Sequence, residues 1–377
     1  MSVQIPETMK ASVLRDVKKG LQVEEIRTPR PRTGEVLVKV RACGMCHSDL
    51  HVIHGDIAFP LPAVLGHEVS GEIVEVGPGN EHTGLEVGQN VSGAFLMPCG
   101  QCSACSEGRD DLCGPFFDMN RLKGQLYDGQ TRLFGLDGEE IAQYSMGALA
   151  EYCVIPSTSV APIPDNVDPV AAAIIGCAVL TAYGAVRRGA DVRHGESVAV
   201  VATGGVGSNI IQISRAFGAK HVIAIDVADD KLEAARALGA THTINSTKED
   251  VREKVFEYTG GRGVDVAFEA LGRPETWQSA LAALKDGGRM VPIGLGAGVQ
   301  TADVEINRTV RRSQSIIGSY GARTRHDLPA TIDLAAHGII NYKDIVSQHY
   351  SLENVAEGYD LLAQGKILGR AVVDMSL

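Results

Sequence analysis

The apolar positions of this chain change rhythm part-way along it. Up to about residue 165 they fall in short runs, Met9–Arg15, Leu21–Arg27, Glu35–Val40, Val69–Gly77 and Asn90–Phe95, broken by Pro29, Pro31 and Gly34. Short runs bounded by Gly and Pro predict a β-rich core. The stretch Gln101 to Met146, rich in Gly, Asp and Arg, reads as surface lobes and loops joining those strands. Between Ala171 and Ala185 the apolar positions are nearly continuous, which predicts a helix leading away from the β region.

Beyond that helix the pattern alternates. Strand candidates recur at Ser197–Ala202, His221–Asp226, His242–Asn245, Val264–Ala270, Arg289–Gly294 and Ser315–Tyr320. Helical patterns separate most of them, at Val206–Phe217, Ala228–Leu238, Asp250–Tyr258 and Thr276–Leu284. Strands with helical crossovers predict a doubly wound parallel sheet. Two more helical patterns, Leu328–His337 and Leu352–Gln364, precede a strand, Ile367–Asp374, and this last segment is expected to return to the first domain. The predicted class is α/β, with a β-rich domain of residues 1–178 completed by 322–377 and a parallel-sheet domain of 179–321. There is no internal repeat and no low-complexity tract.

At the head of the parallel sheet stands Ala202-Thr-Gly-Gly-Val-Gly207, between a strand and a helix, with an acid, Asp226, closing the next strand. Strand, glycine turn, helix, strand and acid together predict a dinucleotide-binding unit. Gly204 and Gly205 let the backbone approach a pyrophosphate, Gly207 lets the helix pack on the strand, and the helix N-terminus faces the phosphates. Asp226 is suited to accept hydrogen bonds from the adenosine ribose. It would also repel a 2′-phosphate that Val227 and Ala228 cannot hold, so NAD is expected rather than NADP. Taken alone, the motif could equally be an ordinary strand-to-helix turn, and Ala202 stands where the fingerprint usually has its first glycine.

Net charge is −11 and apolar residues make up 44% of the 377-residue chain. There is no basic surplus to displace counterions, so no nucleic-acid partner is expected. No apolar run approaches the ~20 residues a membrane span needs. The N-terminus does not read as a signal peptide, which makes a soluble, cytoplasmic protein the expectation. Eight cysteines in such a chain point to metal rather than disulfides.

Cys99, Cys102 and Cys105 at three-residue spacing, followed by Cys113, form a compact four-thiolate set suited to a closed structural zinc site. An iron–sulfur cluster is a minor alternative. Cys46 in Cys43-Gly-Met-Cys46-His47-Ser48-Asp49, His67 in Gly66-His67-Glu68, and Cys177 after Gly176 are dispersed. Two thiolates and an imidazole leave one coordination position open, as a catalytic zinc requires. Such an ion can polarise an alcohol oxygen and stabilise the alkoxide before hydride leaves. Spacing alone does not assemble these three residues: Cys177 could be a buried thiol and His67 a hydrogen-bonded core histidine.

At these residues the chain resembles the medium-chain zinc-dependent alcohol dehydrogenases. The resemblance runs from about Met9 to Asp374, carried in order by Cys46-His-Ser-Asp, Gly66-His-Glu, the four-cysteine lobe, Gly176-Cys177, the glycine turn and Gly369-Arg370. It implies a GroES-like catalytic domain joined to a six-stranded Rossmann domain, with the reaction in the cleft between them. It further implies NAD, two zinc ions per chain and a homodimer or homotetramer, most simply built by edge pairing of the cofactor-domain sheets.

The resemblance also implies roles. Cys46, His67 and Cys177 would hold the catalytic zinc, with Glu68 beside it, and Cys99, Cys102, Cys105 and Cys113 the structural one. Asp49 would orient His67. Ser48 would take the substrate's hydroxyl proton and pass it through the nicotinamide ribose to His51, for which nearby His54 is a rival. His47 and Arg370 would hold the pyrophosphate, and Thr181 would pack near the nicotinamide. Val206, Lys231 and Gly294 complete the expected cofactor contacts, and Phe95 and Tyr320 the substrate pocket. Cys43 and Cys153 are expected as buried free thiols.

The expected function is interconversion of an alcohol and an aldehyde or ketone with NAD(H). A thiol-adduct formaldehyde dehydrogenase is the alternative within enzymes. It is disfavoured because His54–Pro62 lacks the acidic pair of that branch, although the long connection with Asn120-Arg-Leu-Lys-Gly looks like that of the classical and formaldehyde enzymes. A non-catalytic zinc- and nucleotide-binding interaction protein is the alternative outside enzymes. The open zinc set argues against it, and likewise against a zinc-free quinone reductase of the same architecture.

Overall fold

The structure, a computed structural model, describes residues 4–377. They form two compact units. One comprises the chain up to Leu180 with Arg323–Ala336 and Tyr342–Leu377, the other Thr181–Ala322 with His337–Asn341.

The spine of the first unit is the strand Glu35–Met45, buried at nine of its eleven positions. One edge pairs antiparallel with Glu68–Val76. The other edge serves two partners in turn, Tyr152–Pro156 along Glu35–Lys39 and Arg370–Asp374 along Ala42–Met45. Asn90–Gly93 and Val160–Pro162 extend this sheet on one side and Val346–Tyr350 on the other. A second sheet runs Leu21–Arg27, Thr8–Leu14, Ala63–Val64, Glu140–Gln143 and Leu133–Phe134 in spatial order.

Those last two strands lie inside the stretch expected to be surface loops, and that expectation is corrected. Phe116, Leu126, Leu133 and Ile141 are buried there, and fully buried Asn120 donates to the carbonyls of Gln143 and Ser145. Arg132, also buried, pairs with Glu35. Polar anchors hold this segment, so its scattered apolar residues show no period.

The second unit carries six parallel strands. Their spatial order is His242–Asn245, His221–Asp226, Ser197–Val201, Val264–Glu269, Leu284–Pro292 and Ser315–Ile316. In chain order that is third, second, first, fourth, fifth, sixth, the doubly wound dinucleotide-binding arrangement. Ser197–Val201 is buried at every position, as a central parallel strand covered on both faces must be. Ile223, Ile225 and Ile244 pack with Val255, Ala280 and Leu281 of the crossover helices. The fifth strand begins at Leu284, earlier than the expected Arg289, but its regular ladder resumes only at Arg289.

The helix expected over Ala171–Ala185 is broken. A 3₁₀ turn, Ala171–Gly176, ends at Cys177 (φ −134°, ψ −69°) before an α-helix resumes at Ala178–Tyr183. A continuous apolar run conceals the interruption, which follows from close backbone packing at Gly176.

Candidate active site

Strand register brings the first cluster together. Gly44 pairs with Glu68 and Met45 with Ala371. Cys46 is one step past Met45, His67 one step before Glu68 and Arg370 one step before Ala371. Three neighbouring strand ends therefore deliver them to one place. Gly44 leaves the room that Glu68 fills, since a Cβ there would lie 2.2 Å from Glu68 Oε2. The fourth contributor comes from the broken helix. A Cβ on Gly176 would stand 1.9 Å from the Gly93 carbonyl oxygen, so only glycine lets that turn press onto the sheet and present Cys177.

Cys46, His67, Glu68 and Cys177, all buried, bring their ligand atoms within 4.8 Å of one another. His67 Nδ1 is 3.0 Å from Asp49 Oδ1, so Nε2 is left to face the cluster. Asp49 is fully buried and accepts two further bonds, from Gly66 N at 3.1 Å and Tyr359 Oη at 3.1 Å. The Cys46 thiol is held well below the ordinary range by its hydrogen bond with Cys177, with Arg370 adding to the effect. Cys177 is pushed well up by the same bond. Burial raises Glu68 to about 7, opposed by Arg370. Burial works against a charged His67, but Asp49 raises it to about 10.

Arg370 Nη2 stands 3.0 Å from Glu68 Oε1, near enough for an ion pair yet out of hydrogen-bond alignment, and both Glu68 oxygens lack a hydrogen-bond partner. Two neighbouring thiols, an oriented imidazole and a carboxylate without an aligned hydrogen bond form a donor set that a zinc ion would satisfy, displacing the thiol protons.

Ser48 lies beside this cluster, its Oγ 3.8 Å from Cys46 Sγ. His51 is three residues on, along the helix His47–Ile53, and so shares its face. His51 is half-buried with Nδ1 3.1 Å from Asp56 Oδ2, whereas His54 is exposed. His47 is exposed at the start of the same helix.

Phe95 is buried with its ring edge-on to His67, centroids 6.1 Å apart. Phe95 has aromatic companions that no motif in the sequence marks. Tyr144 also meets His67 edge-on at 5.7 Å, and Phe59 meets Tyr144 at 5.1 Å. The Arg121 guanidinium lies 4.1 Å from the Tyr144 ring centre and 5.8 Å from that of Phe95. Single aromatic residues carry no spacing signal that would have found them.

The second cluster, Cys99, Cys102, Cys105 and Cys113, likewise gathers four sulfur atoms within 4.8 Å. Backbone N–H groups of Gln101 and Cys102 point at Cys99 Sγ, and that of Cys99 at Cys113 Sγ, stabilising thiolates. The Cys105 N–H lowers Cys102 to about 7, whereas burial raises Cys113 to about 11. Four thiols with aligned N–H donors fit a tetrahedral zinc. Fully buried Asp110 accepts from Arg325 Nη2 at 2.7 Å and from its backbone N at 2.9 Å, tying this lobe to the helix Thr324–Ala336. All eight cysteines are free thiols, Cys43 and Cys153 fully buried among them.

In the second unit the glycine turn leads into the helix Gly205–Ala216. Ala202 adopts φ +71°, the left-handed conformation its usual glycine would take. A Cβ on Gly207 would lie 2.0 Å from the Ala202 carbonyl oxygen, so this glycine is what lets the helix sit on its strand. Asp226 Oδ2 accepts from Thr203 N at 2.8 Å and Thr203 Oγ1 at 3.0 Å, and Oδ1 from Val227 N at 2.8 Å. The carboxylate thus organises the turn from within, a role the sequence reading did not foresee. A helix N-terminus with small residues and a nearby carboxylate fits the pyrophosphate and ribose of a dinucleotide. Thr181, Lys231, Gly294 and Tyr320 belong to this same unit, with Thr181 buried and Lys231, Gly294 and Tyr320 partly buried.

Comparison with known proteins agrees with this construction. Residues 32–165 match the alcohol dehydrogenase GroES-like domain, and residues 205–337 match the zinc-binding dehydrogenase domain. An alcohol dehydrogenase of Geobacillus stearothermophilus is 37% identical over 372 residues, covering 97% of this chain and 99% of its own. An S-(hydroxymethyl)glutathione dehydrogenase of Synechocystis sp. is 34% identical over 370 residues, with the same coverage. The crystal structure of benzyl alcohol dehydrogenase from Acinetobacter calcoaceticus superposes with a TM-score of 0.91 at 28% identity, over 98% of this chain and 99% of that one. The chain belongs to the medium-chain zinc-dependent alcohol dehydrogenase family, and is an oxidoreductase with a GroES-like domain and a Rossmann-like domain.

Proposed function

We propose that this protein interconverts an alcohol and an aldehyde or ketone with NAD(H), using two zinc ions per chain, one in each cysteine cluster. The observation that carries the reading is the buried set of Cys46, His67, Cys177 and Glu68, the last ion-paired with Arg370, with a hydroxyl, Ser48, beside it. Zinc held by that set would supply a Lewis acid that acidifies an alcohol hydroxyl, and a bound nicotinamide would supply the hydride acceptor.

The chain's own groups do the rest. Asp49 holds His67 in the ligating tautomer. Ser48 Oγ takes the substrate proton as it releases its own, and His51 accepts a proton at Nε2 and releases it to water. Phe95 and Tyr144 keep the neighbourhood of His67 apolar, which strengthens the polar interactions there. Arg370 holds counter-charge against Glu68 and the thiolates until an anionic cofactor group engages it. Asp226 favours NAD over NADP by repelling a 2′-phosphate.

The family name shared with an S-(hydroxymethyl)glutathione dehydrogenase keeps the thiol-adduct reaction as the second reading. The deciding assay is initial NADH formation on primary, secondary and aromatic alcohols, with and without glutathione, and with NADP⁺ in parallel. Thiol-independent turnover of plain alcohols with NAD⁺ is expected. Turnover of formaldehyde only in the presence of thiol would replace the first reading by the second.

No helix among the described residues is long and apolar enough to cross a membrane, and we assign the enzyme to the cytoplasm. Assembly as a homodimer or homotetramer is supported by the exposed edge strand Ser315–Ile316 and by Ile306 and Val310, which are 75% and 71% exposed.

A further inference from the structure

We propose that Asp56 is the positioning residue of the proton relay: it fixes His51 as the Nδ1–H tautomer, so that Nε2 offers the lone pair that receives the proton. This rests on the reading of His51 as proton acceptor in the proposed reaction.

The local chain is built to make this contact. The helix His47–Ile53 ends by turning back on itself, with His54 N donating to Leu50 O at 2.9 Å and Gly55 N to Val52 O at 3.1 Å. Gly55 takes φ +76°, a conformation open to glycine. The turn is closed by Ile57 N donating to the His51 carbonyl at 3.1 Å. That bond spans His51 to Ile57 and brings Asp56 Oδ2 to 3.1 Å from His51 Nδ1.

An ionised carboxylate can only accept, so a neutral imidazole in this contact must carry its proton on Nδ1. The two nitrogens are distinct, and the partner of one decides what the other can do. Without that partner the ring would favour the Nε2–H form, which has no lone pair at the nitrogen meant to accept. Side-chain exposures of 17% for His51 and 37% for Asp56 put the pair at the surface, where the imidazolium can hand its proton to water. The proton arrives at Nε2, the ring is briefly doubly protonated against the Asp56 carboxylate, and a proton leaves to solvent. The substrate's two electrons leave separately as hydride, so charge and protons balance. His54 sits on the exposed side of the same turn, which distinguishes it from His51.

The test reads the tautomer directly and does not depend on activity. Imidazole ¹⁵N resonances of the zinc-loaded, cofactor-free protein are recorded at pH 9, well above the usual histidine pKa of about 6.5. The His51 signals are assigned by their loss in His51→Gln. His51 is expected as Nδ1–H in the native protein, as Nε2–H in Asp56→Ala, and again as Nδ1–H in Asp56→Glu. Turnover should fall about tenfold in Asp56→Ala, part of the roughly 10²–10⁴-fold that a general base supplies, and recover in Asp56→Glu. A native Nε2–H tautomer, or one unmoved by Asp56→Ala, overturns the proposal whatever the enzyme's activity. If the tautomer shifts but Asp56→Ala and His51→Gln both turn over like the native enzyme, the positioning role falls together with the relay, while the reaction class stands.

Discussion

Asp49→Asn tests the electrostatic design of the first cluster most sharply. Asp49 makes three buried bonds: from His67 Nδ1 and Gly66 N to Oδ1, and from Tyr359 Oη to Oδ2. Asparagine is isosteric, and its Oδ1 can keep the first two. Its Nδ2 then faces Tyr359, whose hydroxyl rotates to accept. Only the buried Tyr359 O–H loses its acceptor, at about 1–3 kcal/mol, while the His67 and Gly66 bonds are kept, so the variant should fold. What it loses is charge. A hydrogen bond to a charged acceptor is worth about 1.5–3 kcal/mol against about 0.5–1.5 for a neutral one. The His67 bond alone should therefore weaken by about 1–1.5 kcal/mol, near tenfold in zinc affinity, and the Gly66 bond carries this towards the hundredfold known for such partners, at about 10–100. Competitive chelator titration reads both zinc ions in one sample, and the four-cysteine site is the internal control. Loss confined to the Cys46–His67–Cys177 site is expected. Unchanged affinity there, or equal loss at both sites, would refute the argument. Asp49→Ala instead strands three buried donors at about 1–3 kcal/mol each, and should yield little folded protein.

Three further outcomes follow from the geometry. Gly207→Ala places a methyl 2.0 Å from the Ala202 carbonyl oxygen and should cost about 1–3 kcal/mol by overpacking; fluorescence titration should show weaker NADH binding with zinc content intact, and native affinity would contradict the close-packing account. Arg325→Met leaves the fully buried Asp110 without its cation, with only the backbone N–H of residue 325 still donating to it; about 3 kcal/mol should be lost, the low end for a broken buried pair because Arg325 is partly exposed, and an unchanged melting temperature with unchanged zinc retention by the four-cysteine lobe would count against the tie. Asp226→Asn keeps one acceptor oxygen for Thr203, turns its Nδ2 towards the Val227 N–H, and removes the charge. Repulsion of a 2′-phosphate by about 1–4 kcal/mol predicts that the ratio of kcat/KM for NAD⁺ over NADP⁺ falls roughly fivefold or more; a constant ratio would remove Asp226 from cofactor selection.

The parallel sheet was legible because its strands are continuous apolar runs and its helices carry a long period. His221–Asp226 and His242–Asn245 coincide with their expected bounds. The four-cysteine set was legible from local spacing alone. The other cluster was not, because register between distant strands brings Cys46, His67 and Arg370 together, and register leaves no mark in any single stretch. Cys177 was hidden for a different reason. Ala171–Ala185 reads as one apolar helix, and the contact of Gly176 with Gly93 breaks it. Arg121, Tyr144 and Tyr359 were missed as lone residues, and the turn that brings Asp56 to His51 consists of backbone bonds invisible to composition.

The two clusters differ in when they can exist. Cys99 to Cys113 spans a short loop, so its closure entropy is small and its sulfur atoms can meet early. The other cluster is finished by Tyr359 on Asp49 and Arg370 on Glu68, contacts between segments about 300 residues apart in the chain. During synthesis a nascent chain can hold zinc in its four-cysteine lobe long before the strand Arg370–Asp374 emerges to pair with Ala42–Met45. Until then Glu68 has no cation beside it and Asp49 lacks its tyrosine. The chemistry of this enzyme is thus withheld until nearly all of the chain has emerged, which keeps a half-made polypeptide from presenting an open, reactive metal.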